Sequence, residues 1–454
     1  MVSQSFAKKI SMSLDTLVQA ANLQIQAKVT AVSGLGIDIE GLAGLVSVGD
    51  RIHLRPKIGM PVLAEVVSCM AGVCRVLAYE SFSGLGLSSL AATTLPPISS
   101  GLAVHPSWLG RVVDPLGRPL DQRGPLTLGP AALSTRQRPP GATTRARLGA
   151  RIDLGVTSLN LFTTCRQGQR LGMFAGSGVG KSTLMGMLAS HTACDVAVIA
   201  LVGERGREVR EFIEDELTSS GLERAVVVVA TSDSAPPLRR EAALTAMTIA
   251  EYFRDLGRNV LFMMDSITRY CIALREIAIS AGEVPAMNGY PASVFSDLPQ
   301  LLERAGPGVE SEGGVGYITG LFSVLVEGDD LNEPVADAIR GILDGHVVLD
   351  RRIAGRGRYP AVDVLRSLSR AVPGCNTPRE NDLVLRARSI LSTFDDVHDL
   401  IRLGAYRAGA DPVVDEAIDL APKIEALLRQ DKKARTSLDG GFAALGEILK
   451  QDWK

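Results

Sequence analysis

The sequence predicts an α/β protein: a mainly parallel sheet with crossover helices at the centre, a small β-barrel before it and a helical domain after it. Three observations predict this. From about Gln24 to Ala92, short runs rich in Val, Ile and Leu are separated by Gly and Pro turns about every ten residues. From about Gly101 to Val372, buried-type strands alternate with helical stretches. After PGCNTP the strands cease and helical periodicity takes over. At 454 residues and 46% hydrophobic, the chain can bury a core large enough for two or three domains. The expected divisions are 1–23, 24–97, 98–375 and 376–454.

Each element has a local reason. Phe6, Ile10, Leu14, Leu17, Val18 and Ala21 recur at helical spacing beside Lys8 and Lys9, so the first 23 residues read as an amphipathic helix. Such a helix can dock on its own barrel or serve a partner or a membrane surface. The runs QIQAKVTAV, GIDI, RIHLR, PVLAEVV and VCRVLAYE supply the barrel strands. LGMFA, VAVIALV, AVVVVA and NVLFMM are the core strands, and VREFIEDELTSSG and REAALTAMTIAEYFRDL are helices between them. In the C-terminal part, Asp411 and Pro412 suit an N-cap and a first helical position.

Composition excludes some classes. A formal net charge of −2 does not mark a polyanion binder. The six cysteines are scattered with no CxxC spacing, which argues against a zinc site or a disulfide framework and suits a reducing cytoplasm. No apolar run approaches the roughly 18 residues of a membrane span, and no cleavable signal peptide is expected.

The chemistry begins at FAGSGVGKSTL, Phe174 to Leu184, where a strand meets a glycine-rich turn and then a helix. Gly176, Gly178 and Gly180 are expected to free the backbone so that successive N–H groups converge on phosphate oxygens at the helix N-terminus. Lys181 is the only lysine between Lys57 and Lys423, in a span rich in arginine. A compact ammonium can bridge two phosphates inside such a loop, whereas a guanidinium fork is wider than the space. Ser182 places a hydroxyl suited to Mg²⁺. The nucleotide-binding set is therefore Gly176, Ser177, Gly178, Val179, Gly180, Lys181, Ser182 and Thr183. Ala175 stands where GxxxxGK[ST] begins with glycine.

Two carboxylates extend the site. VLFMMD ends a buried strand at Asp265, which can hold Mg²⁺ through water. VAVIALVGERGREV emerges from another strand at Glu204, where a carboxylate can orient and polarise an attacking water. Arg205 and Glu208 follow, and Glu208 joins Ser182 and Asp265 as a candidate metal residue.

AGSGVGKST, GERGREV, LFMMDSITRY, GYPASVFSDLPQLLERAG, EGDDLNEPVADAIRGILDGHVVLDR and RYPAVDVLRSLSR, in this order, resemble the RecA-type P-loop core of rotary-ATPase catalytic subunits, and more closely the type III export ATPases, flagellar rather than injectisome. The resemblance spans essentially the whole chain. It implies Mg-dependent hydrolysis of ATP, with Glu204 as the catalytic carboxylate, Asp265 on Mg²⁺, Arg205 and Arg269 as phosphate-side arginines and Tyr359 against adenine. Arg370 matches an arginine that a neighbouring subunit inserts into the site, which makes a homo-oligomeric ring, a hexamer, the working form. The resemblance further implies a regulatory protein at the N-terminal segment, a coiled-coil stalk protein, export chaperone–cargo complexes and a membrane export gate, with the protein cytoplasmic but peripheral to the inner membrane.

Rival readings share this core: an injectisome export ATPase, the catalytic subunit of a rotary ATP synthase, a ring-shaped RNA translocase and a nucleotide-binding subunit without hydrolysis. Only two aromatics, Tyr79 and Phe82, and few lysines fall in residues 24–92, which disfavours stacking on nucleic acid. Glu204 disfavours the non-hydrolysing subunit.

Overall fold

The computed structural model describes residues 23–450, apart from 57–58, 81–84, 88, 96–100, 311–313, 327 and 329–332. The expected amphipathic face from Phe6 to Ala21 and the barrel aromatic Phe82 lie outside the described residues.

The barrel strands are β1 (Leu23–Ser33), β2 (Gly36–Glu40), β3 (Arg51–Arg55), β4 (Val62–Met70), β5 (Val73–Ala78) and β6 (Leu90–Leu95). They close in the order β1-β2-β5-β4-β3-β6, every neighbour antiparallel. Alternation sets the inner face: Ile37, Ile39, Ile52, Leu54, Val66 and Val76 are all fully buried there. The β4–β5 hairpin turns on Ala71 and Gly72, with φ of 49° and 85°, the left-handed pair that a tight two-residue turn requires.

The central sheet contains β7 (Arg111–Val113), β8 (Arg170–Ala175), β9 (Val196–Glu204), β10 (Ala225–Thr231), β11 (Asn259–Asp265), β12 (Tyr317–Leu325), β13 (Gly345–Leu349) and β14 (Val362–Ser369). Their order is β14-β13-β8-β12-β11-β9-β10-β7. All these pairings are parallel except β13 with β14. A sheet covered on both faces needs strands that are apolar throughout, and all nine residues of β9 are buried. Ala197, Ile199 and Leu201 enter one core; Val196, Val198, Ala200 and Val202 enter the other.

Helix α1 (Lys181–His191) covers the first face. Helices α2 (Gly206–Glu211), α3 (Pro236–Asp255), α4 (Ile267–Ser280) and α5 (Ala292–Leu302) follow, the last three covering the second. The C-terminal helices α6 (Pro378–Arg402), α7 (Pro412–Leu428) and α8 (Leu438–Ile448) place Leu383, Ile390, Ile424 and Phe442 in the core that holds Leu171 and Met173 of β8. Helix α6 starts with a capping box between Thr377 and Glu380; α7 starts with Pro412 after Asp411, whose side chain accepts from Val413 N.

The barrel is tied to the core by buried charge. Glu65, 1% exposed, accepts from Tyr79 Oη at 2.7 Å and pairs with Arg136 and Arg240, while Arg51 pairs with Glu241 of α3 at 2.8 Å. Burial alone would push the Glu65 carboxyl up, but the guanidiniums of Arg240 and Arg136 and the Tyr79 hydroxyl hold it below its usual range.

Candidate active site

Because β8, β9, β11 and β12 are parallel, their C-terminal ends meet at one edge of the sheet. Ala175, Glu204 and Asp265 are the last residues of their strands, so topology alone converges the loop and both carboxylates. Ala175 sits within the parallel ladder, paired with Leu325 and Leu349, and needs no glycine freedom. That accounts for alanine at the first loop position.

The turn takes its left-handed residues at Gly178 (φ +78°) and at Gly180 (φ +91°), the N-cap of α1. Gly176 does not adopt positive φ, so only two of the three expected glycines use their conformational freedom. Arg351 donates from its guanidinium to Ser177 O at 3.2 Å, which pins the loop from outside. Ser182, in the first turn of α1, is exposed; the Thr183 hydroxyl instead bonds Glu216 at 3.3 Å.

Lys181 Nζ donates to Asp265 Oδ1 at 2.5 Å and lies 4.0 Å from Glu204 Oε1. The same Asp265 oxygen accepts from Ser323 Oγ at 2.6 Å. Glu204 Oε1 is buried, accepts no hydrogen bond and lies 3.3 Å from Arg269 Nε. Burial and the nearby Asp265 charge push the Glu204 carboxyl up to about 7, against the opposing pull of Lys181 and Arg269. A carboxylate poised near neutrality suits proton-transfer chemistry. Arg269 reaches Glu204 by lying across Gly203 (φ +71°), where an added Cβ would come within 2.9 Å of Arg269 Cδ. Tyr359, 47% exposed, flanks the loop: a methyl on Gly180 would stand 3.4 Å from its ring. Its carbonyl accepts from Gln430 N at 2.9 Å, joining this flank to the C-terminal helices.

Residues 155–369 match the model of the ATP synthase alpha/beta family, nucleotide-binding domain, and residues 376–447 match that of the T3SS EscN ATPase C-terminal domain. The flagellum-specific ATP synthase of Caulobacter vibrioides is 49% identical over 95% of this chain and 97% of its own length; that of Bacillus subtilis is 44% identical over 96% and 98%. The chain belongs to the flagellum-specific ATP synthase family. Membership makes it an ATPase. In fold it also resembles the assembled ATPase EscN of the enteropathogenic E. coli type III secretion system, with a TM-score of 0.85 at 36% identity over 93% of this chain and all of that one. EscN in complex with its central stalk EscO matches with a TM-score of 0.83.

Not every residue expected at the site of this flagellum-specific ATP synthase relative meets Lys181 within one chain. Arg205 and Glu208 lie just beyond β9, face solvent in part and pair with each other at 3.4 Å, and of the two Glu208 also bears on the Glu204 carboxyl through a side-chain hydrogen bond. Arg370 is at the far edge of the sheet. β14 runs antiparallel to β13, so Val362 pairs with Leu349 near the loop while Ser369 pairs with Gly345. Arg370 N bonds Asp344 O, and Asp344 also holds Arg170 at the start of β8. The five steps along β8 from Arg170 to Ala175, at about 3.3 Å each, therefore put Arg370 roughly 17 Å from the loop edge. Sequence reading missed Gly203, Arg351 and Ser323. Ser323 is hidden in the mainly apolar run YITGLFSVL, and Gly203 is visible only as the glycine before GluArg.

Proposed function

We propose that this ATPase hydrolyses Mg·ATP at sites shared between identical subunits of a ring, and that hydrolysis serves protein export by the flagellar type III apparatus. One observation carries the shared site: Arg370 and the phosphate loop occupy opposite edges of one sheet. A chain built this way cannot bring its own Arg370 to its own Lys181, but head-to-tail copies bring the two edges together, and a closed cycle of such contacts is a ring. The assembled state of EscN supports this reading.

In this reading the loop N–H groups and Lys181 hold the β- and γ-phosphates, and Tyr359 lies against adenine. The oxygen donors Ser182 and Asp265, with Glu208 at the margin, suit a small hard dication, and the buried Glu204 Oε1 beside them, ion-paired to Arg269 but accepting no hydrogen bond, is available to an incoming water. Mg²⁺, when bound with ATP, supplies charge neutralisation of the phosphates. Glu204 orients the water and takes its proton. Arg269 orients Glu204, and Arg205 stands at the phosphate side of the interface. The neighbour's Arg370 stabilises charge on the transferring phosphoryl group, worth about 10³ to 10⁵ in rate in other systems.

The domains are assigned as 24–97 for the barrel, 98–375 for the ATPase unit and 376–454 for the helical unit, with 1–23 as a binding segment for a regulatory protein. A stalk protein is a further partner, as EscN forms a complex with its central stalk EscO. Chaperone–cargo complexes and the export gate are the remaining partners, at the cytoplasmic face of the membrane. Among the described residues no helix is long and apolar enough to cross a membrane. Tyr79 is 1% exposed, so it offers no face on which a base could stack. Deletion tests the assignment: loss of flagellar assembly with other secretion and respiratory ATP synthesis intact is expected, and loss of ATP synthesis contradicts it. The injectisome alternative is disfavoured by identity, 36% to EscN against 49% to the Caulobacter relative.

A further inference from the structure

We propose that Ser323 is a positioning residue for Asp265, fixing that carboxylate while Lys181 exchanges it for phosphate. The inference rests on the reading of Asp265 as the magnesium-side carboxylate. Strand β12 lies between β8, which leads into the loop, and β11, which ends at Asp265. The register pairs Met264 with Phe322 on one side and Met173 with Ser323 on the other, so Ser323 falls level with Asp265 at the middle of the site floor.

Ser323 is fully buried in a mainly apolar strand, flanked by Phe322 and Val324, and its hydroxyl donates to Asp265 Oδ1 at 2.6 Å. A buried hydroxyl in such a run costs stability unless it is bonded, and here the bond goes to a functional carboxylate. Oδ1 also accepts from Lys181 Nζ at 2.5 Å. The two contacts differ in permanence. Lys181 is the first residue of α1, beside the loop, and in the proposed reading its ammonium turns to phosphate when ATP binds; Ser323 is on β12, a central strand paired on both sides. Among the described residues Ser323 is the other donor to Oδ1, so with Lys181 withdrawn the serine still holds that oxygen.

The test uses the full chain with Ser323→Ala and Asp265→Asn. Binding of a fluorescent ATP analogue is measured in EDTA and in Mg²⁺, together with hydrolysis against Mg²⁺ concentration. For Ser323→Ala, EDTA binding is expected to match the unaltered protein, while the Mg²⁺ concentration giving half-maximal hydrolysis rises about tenfold, the effect of one hydrogen bond to a charged group. A general packing role would weaken binding in both conditions, and that result, or a Mg²⁺ requirement unchanged within about twofold, overturns the proposal. Asp265→Asn separates the two readings. If it abolishes hydrolysis while Ser323→Ala leaves the Mg²⁺ requirement unchanged, the serine's role falls and the aspartate's stands; if Asp265→Asn hydrolyses normally, both fall.

Discussion

The Lys181 ammonium, on the first residue of α1, and the Asp265 carboxylate, on the last residue of β11, are in direct contact, 2.5 Å apart. The ammonium is thus shared between a carboxylate and, in the proposed reading, the phosphates of ATP. Replacing Lys181 with Ala or with Arg is expected to lower kcat by about 10² to 10³, because a preorganised donor to the phosphates is lost and a planar fork does not fit the loop. Steady-state hydrolysis of the two purified variants checks this. An arginine variant with ordinary turnover contradicts it.

Glu204 makes a linked prediction about stability. Its carboxyl is raised to about 7 in the folded chain, above the value for an exposed glutamate. The folded state therefore binds the proton more tightly than the unfolded state. Stability from this group is full below the unfolded pKa and is lost as pH rises toward 7. Glu204→Gln should abolish hydrolysis and raise the melting temperature at pH 8, by an equivalent of about 1 to 3 kcal/mol, with little gain at pH 5. Thermal unfolding at the two pH values is the check. Equal melting temperatures at pH 8 would remove the desolvation account of this carboxylate.

Glu65 holds Tyr79, Arg136 and Arg240 together at the seam between barrel and core. Glu65→Ala leaves two guanidiniums without their buried counter-charge and should cost about 3 to 5 kcal/mol. Chemical denaturation should show the barrel and core losing their common transition before catalysis at low temperature is affected. An unchanged midpoint would mean that water replaces the carboxylate there.

Tyr359 is predicted to act on binding more than on chemistry. Tyr359→Ala should raise KM for ATP about tenfold, from the loss of an aromatic face worth roughly 1 to 3 kcal/mol against a base, while Tyr359→Phe stays close to the unaltered chain. A fall in kcat with KM unchanged would contradict an adenine contact.

Much of this fold is legible because its signals are local. The run VAVIALV is apolar throughout, as a strand covered on both faces must be, and GSGVGKS announces its own turn and helix. The site was harder to read where it depends on strand order. Nothing in YITGLFSVL indicates that Ser323 will face Asp265, since that follows from β12 lying between β8 and β11. The same limit applies to Arg370. Its sequence context SLSR suggests a role, but only the reversed direction of β14 puts it at the edge opposite Lys181. Gly176 shows the converse error: a glycine in a glycine-rich turn need not use positive φ.

The shared site is tested most directly by mixing two inactive chains, Lys181→Ala and Arg370→Ala, and assaying the assembled mixture. At random assembly about one interface in four joins an intact loop to an intact arginine, so the mixture should hydrolyse ATP well above the sum of the two variants alone. If mixing restores nothing although the two chains co-assemble, or if Arg370→Ala alone turns over at the ordinary rate, the site does not lie between subunits.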